Sequence, residues 1–181
     1  MNYIIYGVVI VVLAWIVSVF NSLIKKRNTV SNSWADVDVQ LKRRYDLVPN
    51  LVETVKGYMG HEAKVFETVT EARTRAMSAS NQDEKVKAEN ELSSTLKTLF
   101  AVSENYPQLR ANENFLGLQA ELANLENDLQ SARRYYNATV REFNNNIAVF
   151  PAMLVAKLFG FGAKEFFGAE EAEKVAPKVN I

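Results

Sequence analysis

The chain begins with an uninterrupted apolar run and then changes to alternating apolar and polar positions. No charged side chain occurs from Met1 to Ile24, and the run is rich in Ile, Val and Leu. About 20 apolar residues, each rising about 1.5 Å along a helix, cross a hydrocarbon core about 30 Å thick. The pattern therefore predicts a transmembrane anchor at residues 1–24.

A cleaved signal peptide is the alternative to an anchor. It requires basic residues before the apolar core and small residues at the cleavage site. Here no Lys or Arg precedes the core, and the run ends in Lys25-Lys26-Arg27. We therefore expect an uncleaved, single-pass anchor. Because positively charged flanks tend to stay in the cytoplasm, we also expect the inner (cytoplasmic) membrane, with the N-terminus out and the remaining chain in the cytoplasm.

Apolar residues recur at steps of three and four from residue 25 to residue 149, which is typical of packed helices. The first of these helices continues directly from the anchor, because no Gly or Pro separates them. Its apolar face consists of Val30, Trp34, Val37, Leu41, Tyr45 and Val48. Pro49 then removes a backbone donor and disfavours helix in the residue before it. We predict a tight reversal at Pro49, with a kink as the alternative.

Three further helices are expected. The second covers residues 50–79, and the third follows a polar connector and stops at Asn105-Tyr106-Pro107. The fourth, at about residues 111–149, has the strongest pattern and Asn112 as its predicted N-cap. Its seam consists of Phe115, Leu118, Leu122, Leu125, Leu129, Ala132, Tyr136, Thr139, Phe143 and Asn146. Together the helices predict an all-α protein with an antiparallel, up-and-down four-helix bundle at residues 25–149.

A short apolar segment rich in Phe and Gly follows at residues 150–168 and is too short and too broken to span a bilayer. If the bundle is up-and-down, the fourth helix ends on the membrane side. The phenylalanine cluster then lies either at the lipid headgroups or over the end of the bundle, and its members are Phe159, Phe161, Phe166 and Phe167. Residues 169–181 are expected to be a flexible tail.

Composition excludes several classes of function. Lys plus Arg and Asp plus Glu each number 21, so the chain lacks the basic excess of a nucleic-acid binder. Because there is no cysteine, disulfides, thiolate metal sites and cysteine nucleophiles are excluded. The sequence also contains neither a G-x-S-x-G elbow nor a glycine-rich phosphate loop. We therefore expect no enzymatic activity and no cofactor.

Metal binding finds little support in the sequence. The one histidine, His61, belongs neither to H-E-x-x-H nor to an E-x-x-H pair, so a surface or loop position is favoured over a ligand. Acidic pairs such as Glu67 with Glu71, or Glu121 with Asp128, have the spacing of solvated helix faces. No metal site is expected.

Two arginine pairs are the remaining polar candidates. Arg43 and Arg44 lie late in the first bundle helix, and Arg133 and Arg134 lie midway along the fourth. Ion pairs within and between helices are the favoured interpretation. A surface that binds an anion or an acidic partner is the alternative.

Several long motifs carry a resemblance to a known family: residues 39–58 (VQLKRRYDLVPNLVETVKGY), 70–73 (TEAR), 104–118 (ENYPQLRANENFLGL), 132–143 (ARRYYNATVREF) and 150–161 (FPAMLVAKLFGF). They resemble the bacterial LemA family over nearly the whole chain. The resemblance implies a four-helix up-and-down bundle on an N-terminal membrane anchor with a short external N-terminus. It implies no enzymatic role, and it suggests TPM-domain membrane proteins or membrane zinc peptidases as partners.

Anchor, bundle and missing catalytic groups together predict a non-enzymatic scaffold or adaptor for membrane-associated partners. Membrane lipid is the first expected partner. Self-association through a projecting part of the fourth helix would be a natural extension. A carrier of a ligand or a metal at the membrane is the alternative function.

Overall fold

A computed structural model of the chain describes residues 2–60 and 62–168. Within these ranges the regular structure is helical and contains no strand, which confirms the prediction of an all-α protein. The helices are α1 (Asn2–Lys56), α2 (Ala63–Ser78), α3 (Gln82–Ser103), α4 (Pro107–Arg110), α5 (Glu113–Ala148) and α6 (Ala152–Leu158). His61 and the tail expected at residues 169–181 lie outside the described residues.

The apolar run forms the beginning of α1. In the described part of the chain, this is the one helix whose length and composition would allow it to cross a membrane. None of its most apolar stretch is buried, and Ile10 and Leu13 are 66% and 56% exposed. The helix continues through Lys25 into the amphipathic sequence, as expected from the absence of Gly and Pro.

The predicted reversal at Pro49 is wrong. Pro49 lies inside α1, which ends at Lys56, and the next helix begins at Ala63. Pro49 has no N–H to donate to the carbonyl oxygen of Tyr45, four residues earlier. That oxygen instead accepts a hydrogen bond from Arg73 Nε of α2 at 2.6 Å. The helix therefore passes the proline because another helix supplies the missing donor.

The second predicted helix, at residues 50–79, begins later in the structure, because residues 50–56 belong to α1 and α2 covers only Ala63–Ser78. Helix α3 follows after a polar connector, as expected. Asn81 caps α3, since its side chain accepts a hydrogen bond from the N–H of Glu84 at 2.8 Å. Leu92, Leu96 and Leu99 are buried along one face of α3. The stop after α3 is followed by the single turn of α4 and not directly by the fourth long helix.

Helix α5 confirms the fourth predicted helix and its cap. The Asn112 side chain accepts a hydrogen bond from the N–H of Phe115 at 3.0 Å, which satisfies one of the free donors of the first turn. Every position of the predicted seam is buried or half-buried, from Phe115 to Asn146. The alternation of three and four residues therefore identified the inward face of α5.

The described chain forms two compact units. Of the described residues, unit 1 comprises 2–36 and Ala132–Phe166, and unit 2 comprises Val37–Ser131, without residue 61, together with Phe167 and Gly168. In unit 1, Ser33 and Thr139 form a buried hydrogen bond between α1 and α5 at 2.9 Å, and Trp34 packs edge-on against Tyr136. Lys26 of α1 also pairs with Glu142 of α5. Unit 2 contains α2, α3 and α4 with the adjoining parts of α1 and α5.

Candidate functional site

A buried ion pair lies in the interior of unit 2. Arg44 of α1 and Glu89 of α3 are only 2% and 0% exposed. Arg44 Nη1 donates to Glu89 Oε2 at 2.9 Å. Arg44 Nη2 donates to Ser93 Oγ at 2.8 Å and lies 3.4 Å from Oε2 of Glu126 in α5. Because an unpaired buried charge is costly, the guanidinium is tolerated here by the carboxylates and the hydroxyl around it.

Tyr45 completes this arrangement. Its hydroxyl donates to Glu89 Oε1 at 2.5 Å and lies 3.2 Å from the carbonyl oxygen of Ala76 in α2. Burial raises the pKa of the Tyr45 phenol far above its usual value, and the hydrogen bond to Glu89 and the charge of Glu89 raise the pKa further. Tyr45 therefore remains a neutral donor. We call Arg44, Tyr45, Glu89, Ser93 and Glu126 the Arg44 network.

The Arg44 network has the features of a structural centre. Arg44 and Glu89 carry opposite charges and contact each other directly, and the carboxylate of Glu89 is fully buried. Buried ionic groups contribute little net stability, but a charge without its partner is strongly unfavourable, which penalises alternative helix pairings. We infer that the network fixes which faces of α1, α3 and α5 meet within unit 2.

The four predicted arginines differ in exposure. Arg44 is buried in the ion pair, whereas Arg43 is exposed on the same helix. On α5, Arg133 is half-buried and Arg134 is exposed. The first pair belongs to unit 2 and the second to unit 1. Ion pairing, the favoured interpretation of these clusters, is therefore observed directly for Arg44.

The four predicted phenylalanines also differ from one another. Phe159 and Phe166 are 50% and 39% exposed, whereas Phe167 is 4% exposed. Phe161 is half-buried, with its ring centroid 6.4 Å from that of Phe143 in α5. Phe167 is part of unit 2, and the other three belong to unit 1. The four side chains therefore differ in exposure, from almost complete burial at Phe167 to half exposure at Phe159.

A shallow groove of about 560 Å³ lies between α2 and α3 in unit 2. Its walls consist of Glu62, Lys64, Val65, Thr68, Glu91, Ser94, Thr95 and Thr98. Hydroxyl groups and charges of both signs share this surface. Among residues 2–60 and 62–168, no three His, Cys, Asp or Glu side chains are grouped so that they could hold a metal ion. Glu67, Glu71, Glu121 and Asp128 are all exposed.

Sequence reasoning missed Glu89, although the sequence contains a signal for it. Glu89 precedes Leu92, Leu96 and Leu99 at steps of three, four and three residues, so it lies on the apolar face of α3. A charged residue on such a face must be paired when the helix packs. Arg73, which lies among the apolar positions of α2, carries the same signal for its bond to Tyr45.

Comparison with known proteins places these features in a family. The model of the LemA family matches residues 33–181. Protein LemA of Metamycoplasma hominis is 24% identical over 156 residues, which are 86% of this chain and 71% of that protein. Magnetosome proteins MamQ 1 and MamQ 2 of Paramagnetospirillum magneticum are each 21% identical over 190 residues, covering 91% of this chain and 70% of those proteins.

The matched region includes the Arg44 network, the proline that α1 passes, the seam of α5 and all of α6. It begins at residue 33, beyond the apolar run. Family match and apolar helix together indicate a membrane-associated helical protein. Since the family model covers most of its length, the chain belongs to the LemA family.

Proposed function

We propose that the protein is a single-pass membrane protein. Its helical part, by which we mean the helices that follow the apolar run, is a non-enzymatic scaffold for membrane-associated partners. One observation carries the membrane part of this proposal. Residues 1–24 carry no charged side chain, and from Tyr3 to Leu13 the large apolar side chains, among them Ile10 and Leu13, are exposed along one continuous helix. Apolar surface of this extent is unfavourable in water and favourable in lipid.

The proposed arrangement has the N-terminus outside and the helical part in the cytoplasm, at the inner membrane. The basic cluster Lys25-Lys26-Arg27 supports this orientation, because such clusters resist translocation. The long helices then form an antiparallel, up-and-down four-helix bundle. The LemA resemblance supports this topology.

The scaffold role rests on the chemistry of the described side chains. The most deeply buried charges neutralise each other in the Arg44 network, and the exposed acidic pairs are spread along helix faces. Two relatives are named as magnetosome proteins, after a cellular structure and not after a reaction. TPM-domain proteins, membrane zinc peptidases or further copies of this chain are the proposed partners.

Cysteine labelling tests the membrane proposal, because the chain has no cysteine of its own. Tyr3→Cys and Glu121→Cys would each be treated in intact cells with a membrane-impermeant maleimide. We expect labelling of the first variant at once and of the second only after lysis. Equal labelling of both in intact cells, or release of the protein from membranes by alkaline carbonate, would contradict the proposal.

Photo-cross-linking tests the scaffold proposal. A photoreactive amino acid replaces exposed Arg43 or, as a matched control on another helix, exposed Glu67. Cross-linking in intact cells at Arg43 should give discrete adducts whose partners are membrane proteins or a second copy. The same faint background at both positions would argue against a partner surface at Arg43. Mass measurement in detergent at several concentrations would detect self-association.

The carrier alternative draws on the groove between α2 and α3. Metal analysis of the purified protein and melting curves in the presence of anions would test it. Bound metal in stoichiometric amount, or a melting temperature that rises with anion concentration, would favour a carrier over a scaffold.

A further inference from the structure

Helix α6 packs on the part of α1 that is proposed to cross the membrane. Leu23 of α1 is buried together with Val155 and Ala156 of α6. Ile16, Val19, Phe20, Ile147 and Phe161 pack around this cluster. The ring centroids of Phe20 and Phe159 are 4.7 Å apart. All of these residues belong to unit 1, so α6 covers one side of α1 from Ile16 to Leu23.

This contact lies on the lipid side of the basic cluster. Ile16 precedes Lys25 by nine residues, which corresponds to about 14 Å along a helix. One leaflet contributes roughly half of a hydrocarbon core about 30 Å thick. If α1 spans the bilayer as proposed, α6 therefore packs at the depth of the leaflet next to the helical part.

The outer side of α6 is as apolar as the inner side. Leu154 and Leu158 are four residues apart on α6 and are 55% and 74% exposed, and Phe150, which lies just before the helix, is 72% exposed. Phe159 adds a half-exposed ring at the end of the helix. From Ile147 to Ala163 the one charged residue is Lys157. Its exposed, long side chain can extend to the headgroups while its methylenes remain in apolar surroundings.

The chain then returns to the polar part of unit 1 through fixed contacts. Gly160, with φ of 70°, ends α6, and the N–H of Phe161 donates to the carbonyl oxygen of Ala156 at 2.9 Å. Arg27 lies over the ring of Phe161 at 5.7 Å. The Asn144 side chain exchanges two hydrogen bonds of 2.8 Å with the backbone of Lys164.

We propose that α6 is inserted into the hydrocarbon of the adjacent leaflet, with Phe150, Leu154, Leu158 and Phe159 in contact with acyl chains. This inference rests on the proposed membrane anchor. It commits to lipid because the helix against which α6 packs is the spanning segment itself, so the exposed stripe continues the lipid-facing surface of α1. At seven residues, α6 reaches about 10 Å and does not cross the bilayer.

Depth-dependent quenching of single cysteine labels tests the inference on the full chain. Variants Leu158→Cys, Leu13→Cys and Glu121→Cys are labelled with NBD and placed in vesicles of phosphatidylcholine and phosphatidylglycerol. We expect doxyl-labelled lipids to quench the label at position 158 nearly as well as the label at position 13. Aqueous iodide should quench the label at position 121 several-fold more than the other two.

Each other outcome overturns a defined part of the proposal. Iodide quenching at position 158 equal to that at position 121, with position 13 quenched by lipid, would disprove the insertion of α6 and leave the anchor intact. Protection of position 158 from both quenchers would mean that protein covers α6, and cross-linking through Leu158→Cys would reveal a second copy. Iodide quenching at position 13 would instead disprove the membrane anchor.

Discussion

Two regions of the molecule differ in which side chains they expose. On the outer surfaces of α1 and α6 in unit 1, apolar side chains are exposed, whereas in the interior of unit 2 charged side chains are buried. Ile10, Leu13 and Leu158 are more than half exposed, whereas Arg44 and Glu89 are almost completely buried. Exposed apolar side chains of this kind are unfavourable in water and favourable in lipid. The buried charges are stable because each finds an opposite charge within the protein.

The two regions differ in what stabilises these side chains, the buried charges in one and the exposed apolar groups in the other. In unit 2 the buried charge of Glu89 is compensated within the protein, because its carboxylate accepts hydrogen bonds of 2.9 Å or less from both Arg44 and Tyr45. On α6 the compensation must come from outside, and we have proposed lipid for that role. Substitutions should therefore affect folding in unit 2 and membrane contact in α6.

The largest effect is expected for Glu89→Gln, which leaves the buried Arg44 without its principal counter-charge. The free energy of unfolding should fall by about 3–5 kcal/mol, as for other buried pairs that lose one partner. Urea unfolding of the full chain in detergent micelles, followed by circular dichroism, measures this loss.

Two matched variants sharpen this result. Glu126→Gln removes the more exposed carboxylate, which is 36% exposed, and should cost no more than about 1 kcal/mol. Arg44→Met combined with Glu89→Leu removes both charges and should be nearly as stable as the original chain. A loss in the double variant as large as that in Glu89→Gln would show that packing, not charge, is responsible.

On α6, Leu154→Glu combined with Leu158→Glu should release the helix from lipid without unfolding the protein. Each leucine withdrawn from hydrocarbon costs about 1.5–3 kcal/mol. An NBD label at Phe159→Cys should therefore change from quenching by doxyl lipids to quenching by iodide, while the circular dichroism spectrum in micelles stays the same. Thr98→Glu, at an exposed position of α3, is the control and should leave the label unchanged.

Arg73→Ala tests how α1 passes its proline. It leaves the Tyr45 carbonyl oxygen without the donor at 2.6 Å, and the cost of an unsatisfied group of this kind is about 1–3 kcal/mol. In a Pro49→Ala background the loss should be smaller, because alanine supplies the missing N–H. Urea unfolding of the four chains gives the coupling energy.

The control for this double-mutant cycle of Arg73 and Pro49 is Arg75→Ala, on the same helix as Arg73. Arg75 pairs with Glu91 at the surface, where both side chains are at least 41% exposed, so its removal should cost under about 1 kcal/mol. Equal losses for Arg73→Ala in the presence and absence of Pro49 would contradict the proposed compensation.

The smallest effect is a dependence of stability on alkaline pH. The pKa of Tyr45 is raised in the folded protein above its ordinary value of 10.0, so the folded state retains a proton that the unfolded state loses. Stability from this group is complete below pH 10 and falls as pH rises above it, by at most about 1.4 kcal/mol per pH unit. In Tyr45→Phe this part of the slope should disappear. An unchanged slope in urea titrations between pH 9 and 11 would contradict it.

The hydrophobic pattern predicted a feature correctly where that feature depends only on residues close together in the sequence. The seam of α5 and its cap at Asn112 both depend on residues within a few positions of each other. The continuation of the apolar run into the first bundle helix is also local, because neither Gly nor Pro interrupts it.

At Pro49 the prediction from local sequence was wrong. Proline lowers helix stability through a lost hydrogen bond and a steric clash, and both effects can be expected from the presence of the proline alone. The donor that compensates comes from Arg73, 28 residues further along the chain. The helix ends later, before the turn that contains Gly57 and Gly60.

The amino-acid sequence by itself determined the helical class, the apolar run at the N-terminus and the inward face of α5, because periodicity and charge along one helix are enough to define them. Tertiary structure alone decided that Arg44 meets Glu89, 45 residues away, and that α6 packs on Ile16 to Leu23. It also decided that Phe167 is buried while Phe159 is exposed. These outcomes depend on which distant segments pack together, and packing between distant segments leaves no regular period in a single sequence.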